Sequence, residues 1–319
     1  MQDLNFTQTA RRLFITQQNL SNHVQRLEEA YQARLFRRRP RLELTDAGRQ
    51  LLRFAQSVLA QEERVRQVIR DYDGQDRGTL RIGTSAPRAR GIMPEVLRQF
   101  SGEFPKVGIT LVSHTSRDLV PLVEDGSVDL AVGVFPHHAA SLTSQVLVED
   151  RLYLVVAESL LERVFGPDGW QLPLERYQKQ VCPELLARLP VILPLRGNAL
   201  TDSILDCYQS AGCQSQVYLS TEYPQFYLPL CLEGVAAGFF LRMSLLHDLP
   251  QIPAGVHCLP LVALGGPVCQ RVSVLYQRHR PATRFQQRFL AVLTAYFAQQ
   301  DQRPFPDTAF SAAENMNQS

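Results

Sequence analysis

Thr16-Gln17-Gln18-Asn19-Leu20-Ser21-Asn22-His23-Val24-Gln25 is the stretch on which the character of this chain turns. Thr16 is a good N-cap, because its hydroxyl can accept from the first free N–H groups of a helix. Leu20, Val24 and Leu27 follow at spacings of four and three, so they form one stripe to be buried. The opposite face carries Gln17, Gln18, Asn19, Ser21, Asn22 and Gln25. A face meant only for solvent usually carries more Glu and Lys. Gln and Asn can make paired hydrogen bonds to adenine in a major groove, and Ser can bond several bases. A plain polar surface is the alternative, and this face alone leaves the two evenly matched.

The flanks shift that balance. Upstream, Asn5 to Leu13 reads as a short helix with Asn5 as cap, Gln8 three residues on, and Phe6, Ala10 and Leu13 on one side. Only Phe14 and Ile15 join the two helices, a tight corner that leaves the amide face free to project. Downstream, Arg34, Arg37, Arg38, Arg39 and Arg41 lie within eight residues, broken by Pro40 and followed by Leu42 and Leu44 in alternation. This is a basic two-stranded wing, placed to meet phosphates or a minor groove. The DNA-binding candidates are therefore Thr16, Gln17, Gln18, Asn19, Ser21, Asn22, Gln25, Arg37, Arg38, Arg39 and Arg41. Charge agrees: residues 1–72 hold 13 Arg and Lys against 8 Asp and Glu, and the remainder holds 20 against 23. A basic head on a mildly acidic body suits a nucleic-acid-binding module joined to a sensing one, although an ordinary basic surface would look the same.

From Thr45, another cap, a helix is expected to run to Tyr72, about 42 Å at 1.5 Å per residue. Leu51, Ala55, Val58, Val65 and Ile69 recur on a four-three spacing, with Glu62 the one polar intruder, and form the dimerisation candidates. Packing against its own chain is the alternative for this seam. Residues 73–78, rich in glycine and charge, read as a hinge. Beyond it the pattern becomes α/β. Strands are expected at Thr79 to Thr84, Gly108 to Ser113, Val128 to Val134, Leu152 to Ala157, Val191 to Leu193, Val217 to Ser220, Gly238 to Leu241 and Val272 to Gln277. Helices are expected at Ile92 to Phe104, Leu119 to Asp125, Thr201 to Ala211, Gln225 to Ala236 and Thr283 to Phe297. Such alternation specifies a parallel sheet. Gly166 to Arg188 is irregular, and residues 299–319 are expected to be a disordered tail.

These residues resemble the LysR-type transcriptional regulators. Asn5-Phe6-Thr7, Ala10, Leu13, Gln17, Leu20, Ser21, Arg26-Leu27-Glu28, Leu35-Phe36, Arg38 and Leu44-Thr45-Asp46-Ala47-Gly48 follow the family signature in order. The likeness continues through Gly78-Thr79-Leu80-Arg81-Ile82-Gly83, Met93-Pro94, Phe104-Pro105 and Gly126-Ser127-Val128-Asp129-Leu130-Ala131-Val132-Gly133. The resemblance implies an α+β multidomain chain. A winged helix-turn-helix over 1–48 would be followed by a dimerising linker helix over 45–72 and an α/β effector-binding domain of two subdomains over 79–298, similar to periplasmic binding proteins. Subdomain I would hold 79–156 and 269–298, and subdomain II 157–268, hinged by two crossover strands. Three departures stand out. Four residues precede the segment matching Asn5-Phe6-Thr7 where members have a helix of about ten, so the first helix is expected to be truncated. Gln18 replaces a common proline. Residues 166–188 are longer than usual, and Arg242 stands where a proline often follows.

In open α/β sheets, ligands bind beyond the carboxyl ends of strands, where helix N-termini face anions. That rule and the resemblance select Thr84, Ser85, Thr115, Ser116, Gly133, Arg196, Asn198 and Thr221 as effector-binding candidates, with routine capping as the alternative at each. Arg88 and Arg90 either add positive charge to the cleft or lie on the surface. Catalysis finds no foothold, since no G-x-S-x-G, H-E-x-x-H, P-loop or G-x-G-x-x-G occurs. An enzyme is not expected, nor a metal: His137 and His138 are neighbours that an extended segment points to opposite sides. His23 reads as a phosphate or packing contact. The six cysteines, Cys182, Cys207, Cys213, Cys231, Cys258 and Cys269, include no C-x-x-C pair and read as buried reduced thiols, with a redox pair at Cys207 and Cys213 as the alternative.

No run of about 18 apolar residues and no signal peptide is present, so the cytoplasm is expected. The expected partners are double-stranded DNA at a promoter or operator, an anionic small-molecule effector, a second copy or a tetramer of copies, and RNA polymerase. No cofactor and no membrane enter. The competing reading is a small-molecule binding protein whose head has lost DNA affinity.

Overall fold

The computed structural model describes residues 5–37, 42–72, 77–167, 169, 181, 186–195, 197–263, 266–279 and 282–305. The chain divides into two compact units, with the boundary in the long helix between Arg66 and Gln67.

In the first unit, caps written into the sequence start each helix. Asn5 accepts from Thr7 N at 3.0 Å and Gln8 N at 3.1 Å to open α1 (Phe6–Arg12), and Thr16 accepts from Asn19 N at 3.2 Å to open α2 (Gln17–Ala30). The corner between them puts Phe14 at φ 55°, a left-handed backbone that turns its ring outward, where it is 96% exposed. The expected stripe on α2 is narrower than its spacing suggests: Val24 is buried and Leu20 half-buried, but Leu27 is 45% exposed. Val24, Ala10 and Leu35 make the small core. The wing consists of β1 (Phe36–Arg37) paired antiparallel with β2 (Glu43–Leu44). Glu28 pins it to α2 by accepting from Leu35 N at 2.7 Å. Thr45 accepts from Gly48 N at 3.0 Å and so starts α3 (Asp46–Tyr72). Gly48 has to be glycine: a Cβ there would lie 2.1 Å from Leu35 O, and the helix could not close on the wing.

The second unit is a nine-stranded sheet, ordered β4-β3-β5-β13-β6-β9-β7-β8 with β10 also on β6. β3 (Gly78–Thr84), β4 (Val107–Ser113) and β5 (Leu130–Gly133) are mutually parallel around β3, alternating with α4 (Ala86–Glu103) and α5 (Ser116–Glu124). β6 (Leu142–Ala157) then runs 16 residues and passes from one half of the sheet to the other. Up to Arg151 it pairs with β13 (Cys269–Gln277), and from Leu152 it pairs with β9 (Ala237–Leu241) and β10 (Val256–Pro260). The crossing therefore falls ahead of residue 156, where the sequence reading divided the subdomains. Val272 faces Val148 and Ser273 faces Val146, so Leu147 is an extra residue, a β-bulge in this ladder.

Between the crossings lie α6 (Glu158–Phe165), β7 (Pro190–Pro194), α7 (Ala199–Ser210), β8 (Gln216–Thr221), α8 (Tyr227–Leu232) and α9 (Arg242–Asp248). A short hairpin of β11 (Val262–Ala263) and β12 (Gly266–Pro267) precedes β13. The sheet is thus mixed rather than wholly parallel, because β6 and β13 run antiparallel to their neighbours. α10 (Arg284–Gln302) closes the chain on a capping box between Thr283 and Gln286, and it runs past Phe297 into the segment expected to be disordered. Residues 306–319 of that segment and 73–76 of the expected hinge lie outside the described residues, as does most of 166–188. Two cores underlie the first sheet half, one of them built on Phe100, Phe285, Phe289 and Phe297. Two more underlie the second half. α9 serves both: Met243 and Leu246 enter the first-half core and Leu245 the second.

Candidate functional site

On α2 the amide-bearing side faces out. Thr16, Gln17, Gln18, Asn19, Asn22 and Gln25 are exposed and Ser21 is half-buried. The first and last amides of this face are oriented. Gln17 Oε1 accepts from Thr7 Oγ1 at 3.1 Å, and Gln25 Nε2 donates to Glu29 Oε1 at 2.9 Å. Arg37 is exposed at the wing. Arg38, Arg39 and Arg41 lie outside the described residues. The seam of α3 is open as well: Val58 is 45%, Val65 59% and Ile69 57% exposed, Ala55 is exposed and Leu51 half-buried. Leu52, Phe54 and Leu59, which the four-three spacing passed over, are more than 40% exposed beside them, so the apolar band is broader than a heptad stripe.

Most of the effector candidates make hydrogen bonds within the chain. Thr84 is 1% exposed and its Oγ1 donates to Val132 O at 2.9 Å, which ties β3 to β5. Thr115 caps α5 and donates to Asp118 Oδ2 at 2.7 Å. Ser116 Oγ accepts from Val134 N at 3.0 Å, and Gly133 is the residue that admits it, since a Cβ there would stand 2.6 Å from that oxygen. Asn198 caps α7 by accepting from Leu200 N at 2.9 Å, and Thr221 Oγ1 accepts from Tyr223 N at 3.1 Å. Arg196 lies outside the described residues. Around the ends of β7 and β8, Thr201 and Ser220 both donate to Pro194 O, at 3.1 and 3.4 Å.

Ser85 is different. It begins α4 but its side chain caps nothing, so the free N–H groups of an 18-residue helix keep their partial positive charge. Instead Ser85 Oγ accepts from Arg88 Nη1 at 3.3 Å. Arg88 is 8% exposed, not a surface arginine. Among the described residues its guanidinium makes that one hydrogen bond and no ion pair. Burial lowers its pKa, opposed by the charge on Asp150. A buried guanidinium with spare donors beside an uncapped helix start brings together two groups of positive character. Arg90, its neighbour by two, is committed to Asp248 of α9 through bonds of 2.8 and 2.6 Å. Sequence spacing could not separate these two arginines, because both follow Pro87 in the same turn.

The thiols behave as ordinary apolar groups. Cys207, Cys231 and Cys258 are buried, but Cys213 and Cys269 are only half-buried, and none of these five is in a disulfide; Cys182 lies outside the described residues. Burial pushes the Cys207 thiol up and that of Cys231 up to about 12, so neither is a ready nucleophile. No group of three or more His, Cys, Asp or Glu able to hold a metal occurs among the described residues, where His137 and His138 are simply exposed. No helix among them is long and apolar enough to cross a membrane.

A helix-turn-helix with an outward amide face, a wing, a long helix with an open apolar band and a two-part α/β domain together define a ligand-responsive transcription regulator. The chain belongs to the LysR family. Residues 1–49 match the bacterial regulatory helix-turn-helix protein, lysR family, and residues 73–298 match the LysR substrate binding domain. The HTH-type transcriptional regulator cbl of Escherichia coli (strain K12) is 32% identical over 248 residues, 76% of this chain and 74% of that protein. Several further curated relatives match over only about half of their length. Among solved structures, full-length CbnR complexed with its target DNA is similar with TM-score 0.61 at 19% identity, covering 93% of this chain and 94% of that one. Full-length OxyR from Pseudomonas aeruginosa is similar with TM-score 0.66 at 18% identity, covering 92% and 89%. At such identities these two speak for the fold. Since the helix-turn-helix match takes in the whole of the head, the reading in which that head has left the DNA-binding class falls away.

Proposed function

We propose that this regulator reads duplex DNA with α2 and the wing, acts as a dimer or tetramer through α3, works in the cytoplasm without catalysing a reaction, and responds to a small anionic effector held at the start of α4. Arg88 carries the effector assignment. Its buried guanidinium is in no hydrogen-bonded ion pair among the described residues, and the one carboxyl whose charge reaches it, Asp150, is itself pushed toward its neutral form by burial, so an anion supplied from outside would be its natural counterion. Ser85 and the first N–H groups of α4 stand beside it. Binding there biases an equilibrium between arrangements of the two subdomains, and so the placement of the DNA-binding heads.

The test uses the full chain in a thermal-shift series with sulfate, phosphate, and small mono- and dicarboxylates. A true effector at 100 times its dissociation constant adds roughly 2.7 kcal/mol to native stability. Arg88→Gln should remove that shift while leaving DNA affinity in the unliganded state unchanged. Should no anion stabilise the protein, or should Arg88→Gln respond as the parent does, the anionic assignment fails. DNA recognition is tested by titrating the promoter region of its own gene at several salt concentrations: Gln17→Ala should weaken specific binding by about 1–3 kcal/mol and leave non-specific binding intact. Arg39→Ala should lower affinity for every sequence and reduce the salt slope by about 1.

A further inference from the structure

Arg242 is 8% exposed at the start of α9. Its Nη1 donates to Gln300 O at 3.0 Å, and Nη2 donates to Asp301 O at 3.4 Å and to Arg303 O. These carbonyls lie at and just past the end of α10, where its regular ladder runs out at the negative end of its dipole; Gln300 O also accepts from Arg303 N at 3.2 Å. The guanidinium carbon also lies 5.8 Å from the ring centre of Phe305. Phe305 in turn sits 4.6 Å from Tyr153 of β6, centre to centre, and packs against one core of each sheet half. The run from Asp301 to Phe305 therefore leaves a helix of the first half and fastens onto residues of the second.

Asp150 sits at the same seam, in β6 one residue before the crossing. It is 3% exposed, and its Oδ1 accepts from Met243 N at 3.1 Å at the head of α9. A cavity of about 290 Å³ opens beside it, walled also by Arg242, Tyr153, Asp301 and Phe305. Charged and titratable groups reach this carboxyl from every element around it. Arg88 of α4 and Arg242 of α9 favour its ionised form, Asp301 of α10 opposes it, and Cys269 of β13 also feels its charge. On β6 itself Glu149 and Arg151 flank it, Glu149 bonded to Arg271 at 3.2 Å. Burial outweighs the two arginines and pushes the carboxyl up to about 7.

We propose that Asp301 to Phe305 is a strap holding the two subdomains together, and that the charge on Asp150 sets its grip. When ionised, Asp150 competes with the strap carbonyls for Arg242 and repels Asp301. Protonated, it leaves Arg242 to the carbonyls and the repulsion ends; the proton comes from solvent. The strap is then tight in mild acid and loose in mild base, which links the ease of subdomain movement to pH.

Hydrogen–deuterium exchange on the full chain, corrected for intrinsic rates, tests this at pH 6 and pH 8. The ionised fraction of a group titrating near 7 changes about tenfold between them, so strap opening over residues 299–305 should rise up to tenfold in the parent. Asp150→Asn should keep the pH 6 protection at both values. Arg242→Lys, which retains the charge but loses the fork that spans three carbonyls, should expose the strap at both. Equal parental protection at the two pH values, or an undiminished rise in Asp150→Asn, overturns the proposal. If that variant does not fold, Asp301→Asn decides: removing the repulsion must shrink the rise, and an unchanged rise rejects it.

Discussion

Asp150 and Arg88 carry opposite charges in the same buried neighbourhood, each favouring the other's ionised form, and each gives a measurable consequence of being buried. The carboxyl of Asp150 lies higher in the folded protein, about 7, than its ordinary value of 3.8. The native state thus keeps a proton that the unfolded chain has lost between those values. Stability from this group is full below pH 4, declines across the interval and is gone above 7. The thermal midpoint should therefore be higher at pH 6 than at pH 8, and Asp150→Asn should flatten that slope. Glu95, drawn down to about 2 by its bonds from Arg98 and Gln99, titrates below this window and does not obscure it. For Arg88, replacement by Met breaks no hydrogen-bonded ion pair among the described residues, and Asp150, whose ionised form it favours, can keep a proton instead. Arg88→Met should leave the ligand-free melting temperature unchanged or raise it, as seen by calorimetry. A fall of more than about 2 kcal/mol would mean that the guanidinium has a structural partner.

At this scale, legibility in the sequence followed locality. Asn5 and Thr16 as caps were readable because a cap and its N–H donors lie within three residues. The roles of Thr84 and Ser116 were not, since their partners Val132 and Val134 are 48 and 18 residues away. Hydroxyls at strand ends look alike on paper whether they await a ligand or tie two strands together.

Among elements, α3 bears the clearest demand. A helix of 27 residues with Phe54, Leu59, Val65 and Ile69 more than half exposed has apolar surface to bury. Val65→Asp should lower the assembly state in sedimentation, because one charge in such a seam faces its own copy. α10 depends on its start: Thr283 accepts from Gln286 N at 3.3 Å and Gln286 Oε1 accepts from Thr283 N at 3.1 Å, both residues buried. Thr283→Ala should cost about 1–2 kcal/mol in denaturant unfolding. The sequence revealed the parallel βα units around β3 because their apolar runs are bounded by turns. It hid the first ten residues of β6, where Thr143, Ser144 and Gln145 break the pattern, since that stretch is partly open to solvent. α9 was hidden for another reason: its seven residues follow β9 directly, and Leu245 and Leu246 serve different cores, so no single stripe marks it.

For the whole second unit, the two crossover strands decide what movement is available. β13 and the first part of β6 share a ladder of nine residue pairs, which resists sliding but can twist. Links such as Arg90 to Asp248 and Arg242 to the end of α10 act across that axis. A ligand at the start of α4 would have to work against them. Its measurable effect should include lost protection at α9, even though α9 itself touches no effector in this scheme, and exchange at Met243 to Asp248 would report it.

Leu147, the surplus residue in β6, has an outcome of its own. Alternation along a strand has a parity, and one additional residue reverses it: Val148 and Asp150 are buried where the count from exposed Val146 would have turned them toward water. Excising that single codon would leave Val146 opposite Ser273 and Val148 opposite Val272 in an unbroken ladder, each on the face it already holds, with Asp150 still turned inward. A three-base deletion should therefore spare the response to mild acid and remove only the local bend and extra coiling that the surplus residue gives this strand.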